Sequence, residues 1–152
     1  MHTPDHLRKI EKLRDLRERL DPLRDFELWF WATMSAGTHA VNAALHAAGA
    51  TRAAPEFAMQ PGVYLVAGDG GTLQPAFRPL GDVLHVGRPP VPGPVPPAVE
   101  ELMHAMERIE EYRDPCVREG RPADAAIVRE CDTAFRDCLA LLQRVLESHH
   151  AG

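Results

Sequence analysis

From Leu28 to Thr51 the chain carries no Asp, Glu, Lys or Arg. This stretch exceeds the roughly 20 residues needed to span a bilayer, yet it holds Ser35, His39, Asn42 and His46 and is rich in alanine, so it reads as a helix buried in protein. A helical wheel places Phe26, Phe30, Thr33, Gly37, Val41, Ala44 and Ala48 on one small apolar face. Leu28, Ser35, His39, Asn42 and His46 fall on the opposite side. A helix uncharged all round is normally covered all round, so the second face is expected to meet another helix or a second copy of the chain, and a homodimer is the expectation.

The rest of the chain supplies the frame. At 152 residues it is one domain's length, 1–152, with 45% hydrophobic and 26% charged residues, values of a globular fold. Leu13, Leu16, Leu20 and Leu23 give a first helix one narrow apolar seam. Asp21-Pro22 reads as a cap and a first helical position, so a break or kink separates it from helix two, which stops at Gly49. Residues 50–97 hold most of the prolines and glycines and read as an insertion. Val63–Val66 and Thr72–Phe77 flank Gly68-Asp69-Gly70-Gly71 as a small hairpin, Pro75 confining the second strand to an edge, with a third extended piece at Val83–Val86. Pro89, Pro90, Pro92, Pro94, Pro96 and Pro97 form a stiff connector. Helix three runs from Ala98 to about Glu119 unless Pro115 ends or kinks it. Helix four, with Pro122 in its first turn, carries the stripe Ile127, Val128, Cys131, Ala134, Phe135, Cys138, Leu142, Val145 and Leu146. The expected fold is therefore all-α, a four-helix bundle with a small β-hairpin and Pro-rich insertion between helices two and three.

Seventeen Lys plus Arg against 22 Asp plus Glu give a net charge of −5, which argues against a generally basic nucleic-acid binder. The charged N-terminal region has no apolar core of a secretory signal or membrane anchor. Three cysteines without a C-x-x-C pair suit reduced thiols in a cytoplasm better than a disulfide framework or a zinc site. No Walker, G-x-S-x-G or H-E-x-x-H pattern occurs, and Pro75 stands where a phosphate-binding helix would have to follow the glycine turn.

Candidate chemistry is sparse. Glu101 and His104 have the E-x-x-H spacing of di-iron bundles but fall off the apolar face, so no metal and no cofactor is expected. Glu110 and Arg113 fall on that face, either as a rim salt bridge or with an inward Arg113 poised for an anion. His39 and His46, seven residues and about 10.5 Å apart along the helix axis, are too far apart to share a metal. They are interior hydrogen-bonded histidines or, if the protein is an enzyme, its proton carriers.

The segment Trp29-Phe-Trp-Ala-Thr-Met-Ser-Ala-Gly-Thr-His-Ala-Val-Asn-Ala-Ala-Leu-His46-Ala-Ala-Gly49, followed by Ile109-Glu-Glu-Tyr-Arg113 and an amphipathic last helix, resembles HEPN-domain proteins across helices two to four. That resemblance implies a small helical bundle, commonly dimeric. In many members a ribonuclease site lies at the dimer cleft, built from an Arg followed four to six residues later by a His. Arg113 matches the arginine, but Arg118, Glu119 and Gly120 occupy the region of the histidine, and Arg cannot replace His as acid or base near neutral pH. The expectation is a non-catalytic binding or regulatory protein with a possible protein partner, in which Ser35, Asn42, Glu110, Arg113 and Arg118 contact a ligand. The alternative is a metal-independent ribonuclease or other phosphate-handling enzyme using Arg113 with His39 or His46, with RNA as its partner.

Overall fold

The computed structural model describes residues 1–53, 62–78, 81–83, 91 and 93–150. Four helices, α1 (Thr3–Glu18), α2 (Phe26–Ala47), α3 (Pro97–Glu110) and α4 (Ala125–His150), make the chain all-α in class. Two short strands, β1 (Gly62–Ala67) and β2 (Leu73–Arg78), pair antiparallel with Leu65 opposite Pro75. No helix among the described residues is long and apolar enough to cross a membrane.

α2 is the central element, packed against α1, α3 and α4. The lack of charge beyond Glu27 is what permits this: Phe30, Ala36, Ala40, Val41, Ala43, Ala44 and Leu45 are fully buried. Leu102, Met106 and Ile109 of α3 and Cys131, Phe135 and Cys138 of α4 close the core against them. Burial pushes the Cys131 and Cys138 thiols up to about 12, which leaves them protonated and inert as nucleophiles. Among the described residues all three cysteines are free.

Local signals explain the helix ends. Asp21 Oδ1 accepts from the backbone N–H groups of Leu23 (3.0 Å) and Arg24 (2.9 Å), which turns the chain between α1 and α2. Regular α2 begins only at Phe26, four residues after Pro22. Beyond α2, Gly49 takes φ +69°, and the N–H of Ala50 reaches the carbonyl of Leu45 (3.0 Å) while that of Gly49 reaches His46 (3.0 Å). This is the Schellman arrangement, which needs a left-handed residue at its turn.

Several boundaries differ from the sequence expectation. The leucine seam of helix one forms only in part: Leu13 and Leu20 are half-buried against the core, whereas α1 ends at Glu18 and Leu16 and Leu23 stay exposed, and the fully buried positions of α1 are His6 and Ile10. Helix three does not reach Glu119 as an α-helix. It ends at Glu110, and Arg113–Arg118 around Pro115 forms a π-helical turn before Gly120 at φ +75°. Helix four starts after Pro122, at the cap of Asp124, whose Oδ1 accepts from Ala126 (2.8 Å) and Ile127 (2.9 Å). Most of the Val83–Val86 piece and Pro89, Pro90 and Pro92 lie outside the described residues.

Candidate functional site: a buried histidine and aspartate centre

The polar line of α2 is covered from within the chain. His39 and His46 lie seven residues apart and so share a face of α2, and across that face run the first turns of α1 and the segment 81–83. Asn42, between them, holds that segment with its amide. Its Nδ2 donates to the Val83 carbonyl (2.9 Å) and its Oδ1 accepts from the Val83 N–H (2.7 Å). The clamp fixes the neighbouring Asp82 in the interior, where its side chain is fully buried.

Five side chains then join. Asp82 Oδ1 accepts from His6 Nε2 (3.0 Å) and from His46 Nε2 (2.6 Å). A neutral histidine that donates through Nε2 accepts at Nδ1. Accordingly His39 Nδ1 donates to His6 Nδ1 (2.9 Å), and the Thr51 hydroxyl donates to His46 Nδ1 (2.7 Å). The Schellman turn at Gly49 is what returns Thr51 to this position. The amino group of Met1 lies 2.5 Å from Asp82 Oδ2. Side chains of His6 and Asp82 are fully buried and that of His46 is 2% exposed, yet no buried side-chain nitrogen or oxygen among the described residues lacks a partner. Such satisfaction is what makes a polar interior affordable.

The electrostatics follow from enclosure. Burial and the neighbouring His6 push His39 down to about 4. Burial also lowers His6, although Asp82 pulls it partly back. Burial alone would raise Asp82; hydrogen bonds from the Met1 amino group and His46, with the positive charge of that amino group, outweigh it and hold the carboxyl below its ordinary range. The centre at neutral pH is thus one carboxylate surrounded by donors, with neutral rings at His6 and His39.

Other sequence candidates sit elsewhere. Arg113 is on the π-helical turn, where its Nε donates to Asp114 Oδ1 (3.3 Å) rather than pairing with Glu110. Arg118 pairs with the same carboxylate (3.0 Å), and Glu110 is half-buried. Ser35 is half-buried on α2. Glu101 and His104 are exposed and line an open groove of about 330 Å³ between α3 and α4 with Arg108 and Arg144.

Sequence reasoning missed His6, Thr51 and Asp82. His6 was legible as the residue one turn before Ile10, which puts both on the same stripe of α1. Asp82 left no such signal, being 36 residues from His46 and 76 from His6. The chain matches no protein-family model, and no curated protein and no solved structure matches it.

Proposed function

We propose that this chain is a four-helix-bundle binding or regulatory protein, without nuclease chemistry, whose working centre is the His6, His39, His46 and Asp82 group. One observation carries the reading: His39 and His46 hydrogen-bond to His6 and Asp82, whereas Arg113 is engaged by Asp114. A phosphate-handling enzyme of the kind the HEPN resemblance implies needs its arginine and its proton carrier at one scissile phosphate. Here the two kinds of group are committed to different partners on different elements. The three free thiols suit a reducing, cytoplasmic setting.

Dimerisation is not required by this reading, because α1 and the segment 81–83 supply the cover that a second subunit was expected to provide. The test is incubation of purified protein with single-stranded and hairpin RNA. Intact RNA is the expected result. Cleavage that disappears in His39→Ala or His46→Ala would overturn it and install the ribonuclease alternative.

A further inference from the structure

We propose that His6 Nε2, His46 Nε2 and Asp82 Oδ1 form a binding site for a single divalent transition-metal ion of zinc-like ligand preference. The proposal rests on the reading above that this centre is the working part of the molecule, and it names the ligand.

The first argument is convergence. The ligand atoms lie within 4.8 Å of one another and come from α1, α2 and the segment 81–83. An ion with bonds of about 2.0–2.2 Å to three tetrahedral ligands needs them about 3.3 Å apart. The observed separations to Asp82 Oδ1, 3.0 Å from His6 and 2.6 Å from His46, therefore have to open by about 0.3 Å and about 0.7 Å. Two imidazoles and one carboxylate are a donor set for Zn²⁺ and neighbouring first-row dications, with the fourth position left to water.

The second argument is the outer shell. A metal-bound imidazole needs a partner for its other ring nitrogen. Both histidines already have one: Thr51 Oγ1 at His46 Nδ1, and His39 Nδ1 at His6 Nδ1. Loading requires each bound ring to carry its proton on Nδ1 rather than Nε2. His46 then donates to Thr51 Oγ1, His6 donates to His39 Nδ1, and His39 carries its own proton on Nε2. The number of ring protons is the same before and after this change of tautomer.

The third argument is orientation of the carboxylate. The Asn42 clamp fixes the backbone beside Asp82, and the Met1 amino group engages Oδ2. Oδ1, the oxygen shared by both histidines, is the one presented to the ion. His39 and Thr51 are positioning residues, acting on the metal through His6 and His46.

The experiment titrates chelator-treated, metal-free protein with Zn²⁺ by calorimetry and with Co²⁺ by visible absorption. One ion per chain is expected, with Co²⁺ giving a low-symmetry, four-coordinate type of spectrum. His46→Ala and Asp82→Asn should each weaken Zn²⁺ by about a hundredfold or more, and Thr51→Val by about tenfold. His104→Ala, on the surface groove, should leave affinity unchanged. Since substitutions in the core can unfold the protein, ¹⁵N NMR of the wild-type histidines provides the second readout: Zn²⁺ should move the protons of His6 and His46 from Nε2 to Nδ1. Absence of stoichiometric binding by folded wild-type protein overturns the proposal. So does wild-type affinity in folded His46→Ala, or unchanged His6 and His46 tautomers in zinc-saturated protein. Protein that ignores zinc and leaves RNA intact loses the metal but keeps the binding-protein reading, whereas zinc binding accompanied by RNA cleavage keeps the metal and removes the non-catalytic reading.

Discussion

Asn42 satisfies both backbone polar groups of Val83 with one side-chain amide, at 2.9 Å to the carbonyl and 2.7 Å to the N–H. It thereby does for an irregular segment what a neighbouring strand does in a sheet. Truncation would leave a buried donor and a buried acceptor unpaired, at about 1–3 kcal/mol each. Asn42→Ala is therefore expected to destabilise the protein by about 2–4 kcal/mol in urea unfolding. A loss below about 1 kcal/mol would show that water replaces the amide and that the segment is not clamped.

Acid should weaken the metal-free protein well before carboxylates titrate. His6 and His39 are held below their ordinary value, chiefly by burial, His39 at about 4. Between about 6.5 and that value the unfolded chain binds more protons than the folded one, so stability falls as pH is lowered through this window. For His39, which is only partly buried, screening by solvent reduces the effect to on the order of 1–2 kcal/mol. Asp82, depressed rather than raised, acts in a separate window: its contribution is present above its unfolded value and is lost only as pH falls through its lowered folded value. Urea midpoints measured in chelator at successive pH values should drop between neutral pH and about 4.5, and His39→Gln should flatten that drop. A midpoint constant across the range would contradict the enclosure of the rings.

Arg17 is the polar counterpart at the other end of α1. Its guanidinium lies 4.5 Å from the Trp29 ring centre and 4.9 Å from that of Phe135, while Nε donates to Thr33 Oγ1 (2.8 Å) and Nη2 to Asp132 (2.5 Å). With its side chain only 13% exposed, this cation ties α1 to both α2 and α4. Arg17→Ala is expected to cost about 2–3 kcal/mol through lost stacking on the two rings and the lost hydrogen bond to Thr33, whose hydroxyl keeps its bond to the Trp29 carbonyl. Asp132 is 35% exposed, so Asp132→Asn should cost under about 1 kcal/mol. Equal losses in the two variants would shift the weight from the rings to the ion pair.

These two ends show which parts of the fold are legible in sequence. The absence of charge between Glu27 and Arg52 marks α2 as enclosed along most of its length, but in its first turns Leu28 and Trp31 stay exposed, so the expectation that an uncharged helix is covered all round holds only in part. What covers it is not legible, because the cover is built from polar residues that hydrophobic periodicity ignores. His6 and Arg17 share with Ile10 and Leu13 the inward face of α1 that the leucines alone were expected to fill. Asp82 meets His6 and His46 only through long-range closure of the chain. The glycines show the same division: Gly49 announces itself as a helix stop, whereas Gly37 looks like any small residue of the apolar face and acquires its meaning only from α3.

Gly37 lets α2 approach the side chain of Met106, which is fully buried on α3; a Cβ built at Gly37 would overlap the Met106 sulfur and Cε. Two opposing effects govern Gly37→Ala. Helix propensity favours alanine by about 1 kcal/mol, whereas displacing a packed core side chain costs about 1–3 kcal/mol. Met106 is flexible but has no solvent to move into, so the packing cost prevails and a net loss of about 1–2 kcal/mol is expected. Removing Met106 should reverse the sign of this effect, which a double-mutant cycle can read. In a Met106→Ala background the obstructing atoms are gone, and Gly37→Ala should become stabilising by up to about 1 kcal/mol. If alanine at position 37 has the same effect in both backgrounds, the helices are not held together at this contact.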